Sequence, residues 1–175
     1  MPMDEMSHPV EVAEAVTDDA PALADFLLRA WRAAGPDGLG FAGATDEIIA
    51  EIATPTSLAA RIGRDGRRMF VARSRDRVVG FAATRSLDTE EVELSGIVVG
   101  PESTGRGVGT RLITLALTRA RSDGYRRMIV RTEPSNGPAI GFYQGRGFRA
   151  RGSAVERVGE TDVPLVELVT DLAPG

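Results

Sequence analysis

The stretch from residue 91 to residue 123 joins a strand pattern to a helix pattern through a glycine-rich turn, and it constrains the fold more than any other part of the chain. Apolar and β-branched residues dominate positions 92–99, which is typical of a strand. From Val108 onward apolar residues recur every three or four positions, which predicts an amphipathic helix that ends at Gly124. The turn between them, residues 100–109, contains four glycines. Such a unit is typical of a mixed α/β fold.

The glycine-rich turn also predicts an anion-binding site. The first N–H groups of a helix have no partner inside the helix, and the helix dipole makes this end positive. Gly105, Gly107 and Gly109 occupy alternate positions at the junction, and without a Cβ they let an anion approach the amides closely. The pattern therefore favours a cradle for phosphate or pyrophosphate. The alternative is a tight connection in which the glycines only permit a positive φ.

Two common nucleotide-binding patterns do not fit this turn. In the Walker A pattern, G-x-x-x-x-G-K-S/T, a lysine and a hydroxyl residue follow the second glycine, whereas here Gly105 is followed by Arg106 and Gly107. The dinucleotide pattern G-x-G-x-x-G differs in spacing from the G-x-G-x-G found here. ATP or GTP hydrolysis is therefore not expected, although a nucleotide-phosphate binding module stays open as an alternative.

Two blocks of the sequence resemble motifs of the GNAT-family N-acetyltransferases. Residues 104–109 resemble the acetyl-CoA loop of that family, Q/R-x-x-G-x-G/A, except that Thr104 replaces Gln or Arg. Residues 136–148 are similar to the motif N-x-x-A-x-x-F-Y-x-x-x-G-F. All six defining positions of this second motif match, namely Asn136, Ala139, Phe142, Tyr143, Gly147 and Phe148. The two blocks also have the order and separation expected of the family.

The resemblance implies an acetyl-CoA site formed by the turn and the strand before it. In similar enzymes the loop amides hold the pyrophosphate and the pantetheine arm lies along the open edge of the strand. The cofactor-binding residues expected on this basis are Ile97, Val98, Val99, Thr104, Gly105, Arg106, Gly107, Val108, Gly109, Thr110, Asn136 and Tyr143. Gly96 is consistent with this, because a glycine inside a strand often marks a bulge or the close approach of a ligand. A plain packing glycine is the alternative.

Tyr143 and Glu93 are the catalytic residues that the resemblance implies. Tyr143 lies where many similar enzymes have the tyrosine that protonates the leaving thiolate, and a phenol with a pKa of about 10 keeps its proton at neutral pH. Glu93 aligns with a carboxylate that often accepts the proton of the amine, and it would also contact the acceptor. The alternatives are an aromatic core residue for Tyr143 and an outward-facing charge, paired across the sheet, for Glu93. Glu91 is a weaker candidate base.

The rest of the chain predicts one acetyltransferase domain over residues 1–175, with a loose N-terminus at residues 1–9. The predicted order is β-α-α-β-β-β-α-β-α-β-β, which gives a mixed α/β sheet. The resemblance implies that this sheet has the GNAT-like acyl-CoA N-acyltransferase fold. Residues 35–44 form a glycine-rich loop that is either a lid or a flexible connector. The resemblance places this loop over the acceptor pocket, so Phe41, its one aromatic residue, is an expected substrate contact.

Composition excludes several kinds of chemistry. The chain has no cysteine and a single histidine, His8, so thiolate zinc sites and a histidine-based triad are excluded and no metal is expected. The net charge of −4 argues against a nucleic-acid surface and fits a cationic small substrate. No apolar run is long enough to span a membrane, and the acidic first residues are unlike a signal peptide, so a cytoplasmic protein is expected.

The sequence thus predicts an acetyl-CoA-dependent N-acetyltransferase that acts on a primary amine of a small molecule or peptide, with acetyl-CoA as cosubstrate. The resemblance also makes a homodimer reasonable. Two alternatives stay open: a sensor that binds acetyl-CoA without turnover, and the nucleotide-phosphate binding module. The acceptor itself is not indicated by any motif.

Overall fold

The computed structural model describes residues 8–34 and 44–173. The strands are β1 Val10–Glu14, β2 Arg67–Ser74, β3 Arg77–Ser86, β4 Glu91–Val99, β5 Arg127–Thr132, β6 Arg149–Val158 and β7 Thr161–Asp171. The α-helices are α1 Ala20–Ala34, α2 Asp46–Ile52, α3 Pro55–Arg61, α4 Val108–Ser122 and α5 Gly137–Gln144. The seven strands form one mixed sheet in the order β1-β2-β3-β4-β5-β7-β6. The prediction of a mixed α/β fold is therefore confirmed.

The described order differs from the predicted one by a single helix. Three helices, not two, separate β1 from β2, because α3 is a separate helix of seven residues. Thr54 caps it by accepting a hydrogen bond from the N–H of Ser57, and Pro55 occupies its first turn. Phe41 and nearly all of the predicted 35–44 loop lie outside the described residues, as do residues 1–7 of the predicted loose N-terminus.

The sheet opens at its centre, between β4 and β5. These two strands are parallel and pair only from Glu91 to Leu94 on β4, against Arg127 to Val130 on β5. Beyond Leu94, β4 continues to pair with β3 alone, while β5 pairs with β7. All other neighbouring strands are antiparallel. The two central strands therefore separate and leave a gap at their carboxyl ends.

Helices cover both faces of the sheet. Helices α1, α2 and α3 pack on one face, and α4 and α5 pack on the other. Gly80 of β3 lets the first turns of α4 approach the sheet, because a Cβ there would lie only 3.0 Å from the side chains of Leu112 and Val108. This contact sets the position of the N-terminus of α4 above β3 and β4. Within the described ranges, no helix has the length and apolarity needed to cross a bilayer.

Candidate functional site

A cleft of about 280 Å³ occupies the gap between the ends of β4 and β5. The carboxyl ends of parallel strands are a common location for ligand sites in α/β sheets. The cleft is lined by Leu94, Ser95, Gly96, Ile97 and Val99 of β4, by Gly109 of α4, by Val130, Arg131 and Thr132 of β5, and by Asn136, Ala139, Phe142 and Tyr143 at α5. Residues from both predicted motif blocks thus meet at one opening.

The glycine-rich turn presents free backbone donors at this end of the molecule. Gly105 and Gly107 have φ angles of +79° and +76°, and Gly107 is the N-cap of α4. Both are exposed, and a Cβ added to either would meet no atom within 4 Å. Among the described residues, no acceptor pairs with the amides of Gly105, Gly107, Val108, Gly109 and Thr110. The positive φ angles explain why residues 105 and 107 are glycines. The unpaired amides are donors to which an anion can bind.

Two residues of the predicted loop are partly engaged elsewhere. The N–H of Arg106 donates to the carbonyl of Ser103 at 3.3 Å, so this amide is not free. The hydroxyl of Thr104 donates to the carbonyl of Gly100 at 3.3 Å. The guanidinium of Arg106 lies on the exposed side of the turn, where it approaches the carbonyl of His8 at 3.5 Å. Arg106 therefore offers charge to the site but not its backbone donor.

The edge of β4 is accessible beyond a bulge. The register with β3 shifts between the pair Gly96 with Ala83 and the pair Leu94 with Thr84, so that Ser95 is the extra residue. This agrees with the expectation of a bulge beside Gly96. Ile97 and Val99 line the cleft, whereas the side chain of Val98 is buried in the opposite face among α1 and α3. Val98 can therefore contact a ligand in the cleft only through its main chain.

Helix α5 places Asn136 and Tyr143, two of the predicted site residues, on the wall of the cleft opposite β4. Asn136 caps this helix, because its Oδ1 accepts a hydrogen bond from the N–H of Ala139 at 3.2 Å. Tyr143 is only 6% exposed and packs edge-on against Phe142 and Phe148, with ring centroids 5.3 and 5.6 Å apart. Burial raises the pKa of Tyr143 to about 12, because the phenolate would lose its hydration. Tyr143 is thus both a core aromatic residue and a protonated acid at the cleft.

Arg146 belongs to this site although the sequence did not indicate it. Its guanidinium lies 3.6 Å from the centre of the Phe142 ring and donates to the carbonyl of Phe142 at 2.8 Å. It also donates to the hydroxyl of Thr110 in the first turn of α4. Arg146 therefore links α5 to the end of α4 that carries the free amides. It occupies a variable position of the second motif, so the motif gave it no role.

Glu93 lies on the other side of the opening, in a second cavity of about 300 Å³. It is 4% exposed, which excludes the outward-facing charge that was one of its alternatives. Its Oε2 accepts a hydrogen bond from Arg85 at 2.5 Å, and its Oε1 accepts one from Arg131 at 3.4 Å. As the same alternative expected, Glu93 is paired with charged residues across the sheet, but these pairs lie inside a cavity. Glu91 instead pairs with Arg127 and Arg151 and lines neither cavity.

The two cavities meet where the strands separate. Leu94, Ser95, Gly96 and Arg131 line both of them. A ligand that extends down the cleft therefore ends beside the cavity that contains Glu93, with Tyr143 on the cleft side. The arrangement places a proton donor and a carboxylate on opposite sides of one junction. Within residues 8–34 and 44–173, no group of three or more His, Cys, Asp and Glu side chains is arranged to hold a metal ion.

Comparison with known proteins gives a consistent result. The family model described as "Acetyltransferase (GNAT) family" matches residues 22–148. An uncharacterized N-acetyltransferase of Mycobacterium bovis is 31% identical over 159 residues, which are 86% of this chain and 99% of that protein. N-acetyltransferase 8B of Homo sapiens is 29% identical over 94 residues. This match covers 51% of the chain but only 41% of the human protein, so the chain spans less than half the length of that relative.

Solved structures share the fold at low sequence identity. A GNAT family acetyltransferase from Elizabethkingia anophelis, crystallised with acetyl-CoA bound, superposes with a TM-score of 0.65 at 17% identity. The superposition covers 93% of this chain and 98% of that one. A likeness at this identity shows a shared fold.

Proposed function

This chain belongs to the GNAT acetyltransferase family, and we propose that it transfers an acetyl group from acetyl-CoA directly to a primary amine of a small molecule or peptide. The proposal takes residues 1–175 as a single catalytic domain. The observation that carries it is the meeting of two cavities at Leu94–Gly96. One is lined by Gly109 of the glycine-rich turn and by the protonated phenol of Tyr143, and the other contains the buried carboxylate of Glu93. An acyl donor and an acceptor can reach each other at this junction.

The cleft beside β4 suits the coenzyme. The free amides of the turn, at Gly105 and 107–110, would hold the pyrophosphate, and the open space above Gly105 and Gly107 leaves room for it. Arg106 and Arg146 would add positive charge at this end. The amide groups of the pantetheine arm would pair with the main chain at 97–99 like an added strand. The NH₂ group of Asn136 is available to the same ligand, since only its Oδ1 caps α5.

Tyr143 would serve as the general acid. When acetyl-CoA is bound, the amine nitrogen forms a C–N bond to the acetyl carbon, the C–S bond breaks, and the sulfur leaves with the electron pair as a thiolate that takes up one proton. Tyr143 lines the cleft, which meets the second cavity at Leu94–Gly96. Its raised pKa keeps the phenol protonated at neutral pH. Because a thiol, with a pKa of about 8.5, is the stronger acid, transfer of this proton to the thiolate is uphill and is drawn forward by the step that follows. The phenolate is then reprotonated from solvent.

Glu93 would accept the proton that the amine loses. An alkyl ammonium with a pKa of about 10.4 must be neutralised before it attacks, which costs about 4–5 kcal/mol at pH 7. Glu93 lies in the second cavity beside the junction, and each carboxylate oxygen accepts one guanidinium hydrogen bond. Each oxygen keeps a further lone pair for the amine or for a bridging water. The two arginines fix the position of the carboxylate in the cavity.

Two measurements test the proposal and its alternatives. Isothermal calorimetry compares the binding of acetyl-CoA with that of ATP, and a thiol-release assay follows turnover with a panel of primary amines. We expect acetyl-CoA to bind more tightly than ATP and at least one amine to release CoA. Binding without turnover on any amine would indicate the sensor, and tighter binding of ATP would indicate the nucleotide module; either result contradicts the proposal.

A further inference from the structure

The cavity that contains Glu93 has an excess of positive side chains. Among the residues that the structure describes, four arginines line it, Arg61, Arg67, Arg85 and Arg131, against two glutamates, Glu93 and Glu156. Arg85 and Arg131 are paired with Glu93, and Arg85 also lies 4.0 Å from Glu156. Among the described residues, no carboxylate lies within salt-bridge distance of Arg61 or Arg67. Arg61 and Arg67 thus have no acidic partner among the described residues, although the chain as a whole carries a net negative charge.

The position of Arg67 is unfavourable for the fold alone. Arg67 and Arg85 are directly opposite each other in the antiparallel pair of β2 and β3, and like charges in that position repel. Although Arg67 is an exposed residue, desolvation of part of its side chain lowers its pKa, and the nearby charges of Arg61, Arg85 and Arg64 lower it further. Strand pairing gains nothing from this arrangement. A perturbed charge cluster that lines a cavity is a functional-site candidate.

The cluster and the candidate base lie on one face of the sheet. Arg67 on β2 is paired in register with Arg85 on β3, and Arg85 is paired with Glu93 on β4. Residues directly opposite on neighbouring strands project to the same face, and three strands span about 10 Å. One small molecule can therefore have a group at Arg67 and another at Glu93. Much of the remaining lining is aliphatic or aromatic, including Leu27, Ile48, Ile49, Ile52, Leu58, Met69, Phe81 and Leu165.

We infer that the acceptor is an amino acid with an apolar side chain, whose carboxylate is bound by Arg61 and Arg67 while its amine faces Glu93 and the opening to the cleft. This inference rests on the proposed acetyl transfer and names the substrate class for it. A guanidinium binds a carboxylate through paired charge-assisted hydrogen bonds, and the apolar wall holds the side chain. The excess positive charge also favours the neutral form of the amine, which is the form that attacks. The cationic substrate expected from the net charge does not suit this lining.

Matched acceptor pairs test the inference. L-leucine, L-methionine and L-phenylalanine are each compared with the corresponding amide at saturating acetyl-CoA, and kcat/KM for the acceptor is measured by thiol release. The amide keeps the side chain and the amine but lacks the carboxylate. The amine of the amide is also less basic than that of the acid, so a larger fraction of it is neutral and able to attack. Without recognition of the carboxylate, the amide would therefore react faster than the acid. We expect at least one acid to exceed its amide by about 10- to 100-fold, the usual effect of charge-assisted hydrogen bonds.

Arginine variants identify the groups responsible. Arg61→Gln and Arg67→Gln are each expected to lower kcat/KM for the acid by about tenfold or more, with little change for the amide and no change in KM for acetyl-CoA. Arg64→Gln is the control, because it removes the same charge from the same connection without lining the cavity. Amides that react as well as the acids in the unaltered protein would overturn the inference. Equal losses for acid and amide in Arg67→Gln would do so as well.

The same samples separate this inference from the proposed function. If acetyl-CoA binds and amines are acetylated without preference for a carboxylate, the substrate class is wrong and the proposed acetyl transfer stands. If acetyl-CoA does not bind, or if no amine in the panel releases CoA, the proposed function fails and this inference fails with it. Calorimetry with acetyl-CoA on each variant makes the distinction, because Arg61 and Arg67 lie outside the cleft.

Discussion

At the scale of single residues, Tyr143 carries the most specific expectation. Tyr143→Phe removes the proton donor but keeps the ring that packs between Phe142 and Phe148. We expect kcat to fall by roughly 10²- to 10⁴-fold, the usual contribution of a general acid, with the Kd for acetyl-CoA unchanged. Tyr125→Phe is the control, because it changes the other tyrosine, which does not line the cleft. Full activity of Tyr143→Phe would contradict the assignment.

Burial of Tyr143 also determines the alkaline side of the pH profile. Burial opposes the phenolate, so the pKa rises to about 12 and the acid keeps its proton to a higher pH than an exposed tyrosine would. The loss of rate caused by its deprotonation is therefore expected near pH 12, not near pH 10. A decline centred near pH 10 that disappears in Tyr143→Phe would show that the phenol is exposed to solvent during turnover.

Replacing Glu93 is expected to lower kcat most at pH values where the amine is protonated. Glu93→Gln should lower kcat by about 10²-fold at pH 7, and the loss should shrink toward pH 10, where an alkyl amine loses its proton without help. Glu91→Gln is the matched control, because Glu91 also pairs with two arginines but lines neither cavity. A loss that is the same at every pH would indicate that Glu93 only holds Arg85 and Arg131 in place.

Side chains inside a contiguous motif could be predicted from the sequence, and those assembled by packing could not. Asn136 and Tyr143 lie seven positions apart in one block, so the sequence itself brings them to α5. Arg146 acquires its contacts only when α5 packs against the first turn of α4. Arg61 ends α3 and Arg67 begins β2, on either side of a polar connection without a motif, and the pairing of β2 with β3 brings Arg67 beside Arg85. A shift of register by one residue between Ala72 and Arg73 puts Arg67 and Arg85 opposite each other, and no local pattern indicates that shift.

At the scale of elements, the N-terminus of α4 is the part of the molecule that the addition of one Cβ is expected to perturb most. Gly107→Ala forces an L side chain into a left-handed conformation, which costs about 1–2 kcal/mol, and puts a methyl group into the space above the amides. We expect a higher Kd for acetyl-CoA as well as a lower free energy of unfolding. Gly159→Ala imposes a similar strain at φ +61° in the β6–β7 turn, away from the site. If both variants weaken acetyl-CoA binding equally, the amides are not the binding group.

Helix ends could be predicted because their chemistry is local. Thr45, Thr54 and Asn136 each cap a helix by accepting a hydrogen bond from an amide three residues later, as expected of these residue types. The separation of β4 from β5 beyond Leu94 could not be predicted in the same way. Beyond Leu94, β4 pairs only with β3 and β5 pairs only with β7 among the described strands, and the glycine at position 96 gave only a local indication of the bulge.

At the scale of the whole molecule, one sheet connects both helical layers, so we expect one cooperative unfolding transition. Trp31, the only tryptophan, is buried on the face of α1–α3, whereas α4 and α5 lie on the other face. Its fluorescence and the far-ultraviolet circular dichroism should therefore give the same midpoint. Coenzyme A at about 100 times its Kd should add about 2.7 kcal/mol to the free energy of unfolding. Two separate transitions would argue against a single domain.

The account as a whole depends on the amides at the N-terminus of α4 as the group that holds the coenzyme. The most direct measurement is a crystal structure of the protein with coenzyme A. We predict pyrophosphate oxygens within hydrogen-bond distance of the backbone nitrogens of Gly107, Val108 and Gly109, with the thiol end beside Tyr143 at the junction of the two cavities. A coenzyme bound elsewhere on the protein, with these amides left to solvent, would contradict the account.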